Sequence, residues 1–254
     1  MSAWDPRDLP RGGGHVSLHI DGSTAILTLD QPARRNAISP GMMADLADAA
    51  SALEADASVG ALIVTGAPGA FCAGGDLSAV RTTLMQPGAG AGMCAFMTDT
   101  LDRISALPVV IFAAVDGYAL GGGAELITVA DVVFAAEGAT VGFVHAALGV
   151  SPGWGGGRRL AARIGAKRAL CVLAFAERMS AAEAQAVGIV DTVVTEGTAL
   201  EAAQARAARL ARRPVAAVRA AVRIARGGDE AALFSALWGG PDHRAALARV
   251  KAGR

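Results

Sequence analysis

The stretch Gly117-Tyr118-Ala119-Leu120-Gly121-Gly122-Gly123-Ala124-Glu125-Leu126, preceded by the apolar run Val109 to Val115, decides how this chain folds. Three consecutive glycines are costly in backbone entropy, so they mark a place where backbone approaches other atoms closely or turns left-handed. The run before them reads as a buried strand, and the residues after them, from about Ala124 to Ala130, as a short helix. A further strand follows from Val132 to Ala135. Working back, Ala61 to Thr65 is another short buried strand, and it also runs into a glycine-bearing turn, Ala70-Phe71-Cys72-Ala73-Gly74-Gly75-Asp76-Leu77. Repeated strand, loop and helix with apolar strands predicts an α/β fold with parallel pairing, in which ligands sit at the carboxyl ends of strands. Both glycine turns lie at such ends. If each opens a helix, it presents N–H groups suited to a developing negative charge.

The remaining segments fit around this centre. His15 to Ile20 and Thr24 to Asp30 read as a hairpin about Asp21-Gly22. Ser39-Pro40 supplies an N-cap and a first-turn proline for a helix carrying Met43, Leu46, Ala47, Ala50 and Leu53 at helical spacing. A second apolar stripe, Met93, Phe96, Met97, Thr100, Leu101 and Ile104, marks a helix that Pro108 ends. From Gly155 onward the pattern is almost wholly helical, with a capping box at Ser180 and Glu183 and a further helix opening at Pro214. No linker divides the 254 residues, so one domain is expected.

Composition narrows the function classes. Hydrophobic residues make up 53% of the chain and charged residues 18%, enough apolar material for a large core. With a formal net charge of +0 and scattered arginines, the footprint of a nucleic-acid binder is missing. The mean hydropathy is positive through Ala and Gly, and no apolar run approaches the roughly 20 residues that span a bilayer. The N-terminal Met-Ser-Ala-Trp-Asp-Pro-Arg shows no secretory signal, and cytoplasmic location is the expectation. Cys72, Cys94 and Cys171 match neither a disulfide framework nor zinc-ligand spacing. The glycine spacing fits neither the P-loop nor the dinucleotide fingerprint, and there is no Gly-x-Ser-x-Gly elbow for a nucleophilic serine.

Phe71 to Leu77 and Gly117 to Leu126, as quoted above, resemble the two signature segments of the crotonase (enoyl-CoA hydratase/isomerase) superfamily. Further similarity lies in Pro32-Ala33-Arg34-Arg35-Asn36-Ala37-Ile38 and in Leu148-Gly149-Val150-Ser151-Pro152-Gly153-Trp154-Gly155-Gly156 with Leu160 and Ile164-Gly165, so that it covers nearly the whole chain. The resemblance implies an α/β crotonase (ClpP-like) spiral of repeated β-β-α units over residues 1–197, followed by a helical trimerisation region over 198–254. It implies that the backbone N–H groups of Gly75 and Gly122 form an oxyanion hole for an acyl-CoA thioester. Arg34, Ala37, Ala73, Asp76, Leu77, Phe143 and Trp154 are then substrate and CoA contacts, with the Ala73 backbone on the adenine. Lys251 is a weaker candidate for the CoA phosphates. No metal or separate cofactor is implied, and the partner expected besides the acyl-CoA is the chain itself, as a homotrimer or a dimer of trimers.

Two positions bear on the reaction. Hydratases of the superfamily resemble one another in using two glutamates, one at the position of Glu125 and one about twenty residues on. Here the second position reads Val141-Gly142-Phe143-Val144-His145. His145 is either a satisfied core histidine or a proton-transfer group, a task that suits imidazole. Phe143-Val144-His145, Ser151 to Gly156, Met93 to Leu101 and Leu237-Trp238-Gly239-Gly240-Pro241 resemble the superfamily branch that decarboxylates alkylmalonyl-CoA thioesters. Decarboxylation of a 2-alkylmalonyl-CoA such as ethylmalonyl-CoA or methylmalonyl-CoA is therefore the leading expectation. An enoyl-CoA hydratase or isomerase and a non-catalytic acyl-CoA-binding protein are the alternatives.

Overall fold

The computed structural model describes residues 4–252, with the side chains of 83, 84 and 250–252 excepted, so the Lys251 side chain lies outside the described residues. Among the described residues nine strands run β1 His15–Asp21, β2 Thr24–Asp30, β3 Ala61–Gly66, β4 Val110–Val115, β5 Tyr118–Leu120, β6 Val132–Ala136, β7 Thr140–Gly142, β8 Met179–Ser180 and β9 Thr192–Val194. The helices are α1 Pro40–Ala55, α2 Leu77–Ala79, α3 Ala89–Ala106, α4 Gly122–Ile127, α5 Gly156–Ile164, α6 Ala166–Phe175, α7 Ala181–Val187, α8 Ala199–Leu210, α9 Val215–Ala225, α10 Glu230–Leu237 and α11 Pro241–Ala252.

The strands form a six-stranded sheet in the order β1-β2-β3-β4-β6-β9, antiparallel only at β1 and β2, and a small sheet in the order β5-β7-β8. Each turn of the chain gives one strand to the large sheet and then one to the small sheet, as β4 then β5 and β6 then β7 do. Single bridges from Cys72 to Ala119 and from Ile38 to Gly75 extend the small sheet by two further rows. The result is a spiral of β-β-α units, as the resemblance implied.

The large sheet is buried on both faces at its centre, and for that reason β3 and β4 read as continuous apolar runs. Leu62, Val64, Ile111, Ala113 and Val115 face the main core with Phe71, Phe143, Met43 and Leu46. Ala61, Ile63, Phe112 and Ala114 face the other way, against Ala199, Ala203 and Ala207 of α8. Spaced four apart, those three alanines let α8 lie flat on the sheet, so apolar burial continues past residue 198.

Local signals place the ends. Ser39 accepts from the Met42 N–H at 3.3 Å to cap α1, and Ser180 and Glu183 form the expected capping box on α7. The tail from Gly155 is almost wholly helical, as expected, and adds two short strands. The β-branched run Val190 to Val194 supplies β9, which pairs in parallel with β6 at the sheet edge, and Met179–Ser180 pairs antiparallel with β7.

Candidate functional site

The two glycine turns meet. Cys72 donates its N–H to the Tyr118 carbonyl at 2.7 Å, and Leu120 donates to the Cys72 carbonyl at 3.0 Å. On the other side, Ile38 donates to the Gly74 carbonyl at 2.7 Å and Asp76 donates to the Ile38 carbonyl at 2.9 Å. With its neighbours tied in this way, the Gly75 N–H finds no backbone acceptor among the described residues. Neither does that of Gly122, the first residue of α4, whose N–H lies beyond the reach of the helical ladder. A Cβ built on Gly74, whose φ is +103°, would lie 3.4 Å from the Gly122 nitrogen, which shows how closely the two turns approach.

The glycine run is needed for space as well as for φ. Gly121 has φ +53°. A Cβ on Gly122 would enter the indole of Trp154, and one on Gly123 would strike the Cys72 carbonyl. Gly75 differs: a Cβ there meets nothing within 4 Å.

Glu125 projects from the first turn of α4 and is 1% exposed. Its carboxylate accepts from the N–H of Gly153 at 3.1 Å, of Trp154 at 2.8 Å and of Gly156 at 2.9 Å. The fourth contact is His145 Nε2 at 3.1 Å from Oε1, with that side chain 11% exposed. Nε2 therefore carries the proton shared with Glu125, and the second nitrogen, Nδ1, is buried without a hydrogen-bond partner among the described residues. The imidazole lies beside Gly121 and 6.4 Å, centroid to centroid, from the buried ring of Phe143. Glu125, His145, Phe143, Trp154 and Gly122 thus come together in the structure.

Arg34, Ala37, Ala73, Asp76 and Leu77 gather around the other turn. Ala73 donates its N–H to the Arg35 carbonyl at 2.9 Å, and Ala37 is buried beside the Ile38 bridge. Asp76 is buried and caps α2. It accepts from the Ser78 N–H at 2.8 Å and hydroxyl at 2.6 Å, from Gln31 Nε2 at 3.1 Å and from Arg34 at 3.0 Å. Burial, the largest single influence, raises its pKa, but the hydrogen bonds from Ser78, Gln31 and Ala79 together bring it below the usual value. Leu77 is exposed at the mouth. Arg35 and Asn36 both adopt left-handed backbone, at φ 52° and 55°. The Asn36 amide holds that turn by donating to the carbonyls of Ala67 and Ala70 at 2.8 and 2.7 Å.

Sequence reasoning missed two features. The N–H groups that hold Glu125 belong to backbone and leave no residue-type signature. Arg159 is 9% exposed and sits on the inward face of α5 with Gly156, Leu160 and Ile164, a spacing that could have flagged it. Cys72 is buried and its thiol is pushed up to about 12 by desolvation, so it is inert. No helix among the described residues is long and apolar enough to cross a membrane.

The family profile described as Enoyl-CoA hydratase/isomerase matches residues 19–236. The chain is 38% identical to the ethylmalonyl-CoA decarboxylase of Danio rerio over 93% of this chain and 83% of that protein. It is 37% identical to the ethylmalonyl-CoA decarboxylase of Homo sapiens, over 93% and 81%. Among solved structures, an enoyl-CoA hydratase from Bacillus anthracis superposes with a TM-score of 0.87 at 28% identity, covering 94% of this chain and 96% of that one. An enoyl-CoA hydratase/isomerase family protein from Hyphomonas neptunium gives 0.87 at 30%, over 94% and 95%. Profile, relatives and superposition agree with the paired glycine turns: the chain belongs to the enoyl-CoA hydratase/isomerase family, the crotonase superfamily.

Proposed function

We propose that this protein decarboxylates a 2-alkylmalonyl-CoA, with ethylmalonyl-CoA or methylmalonyl-CoA as substrate, and releases the corresponding acyl-CoA. The observation that carries this reading is the engagement of Glu125. A hydratase needs two acid–base groups free to work on one water, whereas here all four acceptor positions of the Glu125 carboxylate are taken by three peptide N–H groups and His145, and the Asp76 carboxylate beside Gly75 is engaged as the α2 cap. Decarboxylation makes a smaller demand. The bond between the α-carbon and the carboxylate breaks, its electron pair moves onto the thioester oxygen, and CO2 leaves. The Gly75 and Gly122 N–H groups stabilise the enolate oxygen, aided by the start of α4. Phe143 and Trp154 give the departing carboxylate apolar surroundings. The enolate carbon then takes the Nδ1 proton of the His145 imidazolium, whose Nε2–H Glu125 holds, and the neutral imidazole left behind takes a proton from solvent. The thioester carbonyl is itself the electron sink, so the proposed reaction uses no metal or organic cofactor.

Arg34, Ala37, Ala73, Asp76 and Leu77 form the CoA-facing rim in this reading, with the Asp76 cap shaping the turn rather than touching ligand. The C-terminal region from residue 198 serves trimer formation through the apolar side chains it leaves exposed, among them Phe234 and Trp238. Light scattering tests this, and a stable monomer refutes it. The protein is proposed to work in the cytoplasm.

The deciding assay offers ethylmalonyl-CoA, methylmalonyl-CoA and crotonyl-CoA side by side and follows products by mass spectrometry, with His145→Gln as control. Loss of CO2 from a malonyl thioester, abolished or strongly slowed in the variant, supports the proposal. Hydration of crotonyl-CoA with the malonyl thioesters intact sinks it.

A further inference from the structure

Arg159 makes three contacts to three different segments. Its Nε donates to Thr128 Oγ1 at 3.0 Å, one terminal nitrogen donates to Asp102 Oδ1 at 2.6 Å, and the other donates to the Trp154 carbonyl at 2.6 Å. Thr128 caps the C-terminal end of α4 and donates in turn to the Glu125 carbonyl at 2.6 Å. Asp102 belongs to α3 and is shared with Arg158. Trp154 is therefore held on both of its peptide groups: its N–H by Glu125, its carbonyl by Arg159. Its indole lies against the α-carbon of Gly122, the residue that begins α4. The guanidinium thus reaches α4 at both ends, directly at Thr128 and through the Trp154 ring at Gly122.

We infer that Arg159 is a positioning residue of the oxyanion hole, holding the Trp154 loop and α4 in register so that the Gly122 N–H points at the thioester oxygen. This rests on the reading of Gly75 and Gly122 as the oxyanion donors. A planar fork with five N–H groups can serve three acceptors in fixed directions, which the point charge of a lysine cannot. Burial lowers the pKa of Arg159 below the ordinary arginine value, while Asp102 and the nearby Glu125 oppose that shift. A guanidinium stays charged through such a change. The same cation offsets the buried Glu125 anion across the Trp154 peptide, so the two buried charges compensate each other through one backbone unit. Loss of the fork leaves CoA binding intact, because no CoA-rim residue touches it, and lets the Gly122 N–H drift from where the oxyanion forms.

The test uses full-length protein, Arg159→Lys and Asp102→Asn, each first checked for native circular dichroism. Acetoacetyl-CoA is the probe, since its thioester enolate absorbs in the near ultraviolet and reports the hole without any decarboxylation. Wild type is expected to raise the enolate band. Arg159→Lys should bind the probe within about threefold of wild type, by competition, while the band falls at least about fivefold; kcat on ethylmalonyl-CoA should fall about tenfold or more, with KM within about threefold. Asp102→Asn keeps an acceptor oxygen but removes its charge, weakening one of the three contacts, so it should fall between the two and decides the matter if the lysine variant does not fold. A wild-type band in both variants overturns the inference. So does a band that falls only in step with binding, which marks a structural role. A wild-type chain that binds the probe without polarising it removes the oxyanion reading itself, and this inference with it.

Discussion

Replacing Glu125 by glutamine separates an engaged carboxylate from a free base. With the amide oxygen kept toward Trp154 and Gly156, the amide NH2 takes the place of the other oxygen and faces the Gly153 N–H and His145 Nε2. The imidazole can change tautomer and accept; the peptide cannot. One half-buried donor, the Gly153 N–H, is then left without a side-chain acceptor, at a cost of about 1–3 kcal/mol. The two retained bonds lose their charge assistance, roughly half their strength, which adds about 1–3 kcal/mol together. The sum of about 2–6 kcal/mol is a large share of the roughly 5–15 kcal/mol typical of a folded domain. At about 2–4 °C per kcal/mol for a chain of this size, Tm should fall by roughly 4–24 °C. Calorimetry of Glu125→Gln beside wild type measures this. A variant that melts with wild type yet has lost its activity would refute the reasoning, because it would describe a glutamate held loosely and spent on chemistry.

The two glycines proposed as oxyanion donors should respond differently to one methyl group. Gly75→Ala, with open space at its Cβ, should keep kcat within about threefold, whereas Gly122→Ala forces the Trp154 indole away and should lower kcat at least about a hundredfold; steady-state kinetics on ethylmalonyl-CoA compare them. Trp154→Ala should reduce the preference for ethylmalonyl-CoA over a butylmalonyl thioester at least about tenfold, read from the ratio of kcat/KM values, because the ring occupies space above Gly122. Asp116 has its pKa raised by burial and by the charge of Glu196, against backbone N–H groups of Ala199 and Gly197. A carboxyl whose folded pKa is raised opposes folding when ionised and gains stability as pH falls through that value. Asp116→Asn should therefore melt higher than wild type at neutral pH, with the gap closing on acidification; a gap that widens in acid has the wrong sign.

The parts legible in the sequence are those that side-chain identity dictates. The hairpin at Asp21-Gly22, the cap at Ser39, the capping box at Ser180 and the apolar strands β3 and β4 each rest on residue types with one dominant conformational use. The three-residue β5 and β7 and the two-residue β8 were not legible, since so few residues carry no period and their pairing is set by the turn of the spiral. In the site, Gly75, Gly122, Glu125 and His145 could be pointed to, and the 3.1 Å contact between the last two fits the spacing of about twenty residues. What Glu125 does there was not legible, because its partners are peptide N–H groups some thirty positions away, and any sequence can supply those.

The hydrogen bonds between the Cys72 segment and β5 have a consequence for how such a chain can change over time. Forty-seven positions separate Gly75 from Gly122 in sequence, yet the separation of their segments in space is one row of a sheet, a spacing of about 4.8 Å that backbone geometry fixes. Residues 80–88 form an excursion between those two rows, ahead of α3, whose Met97, Leu101 and Ile104 belong to the core and whose Asp102 holds Arg159. Insertions and deletions in that excursion can change its length and side chains without resetting the distance between the two glycines. Selection, or an engineer, can therefore vary that stretch while the two proposed oxyanion donors stay on a fixed ruler.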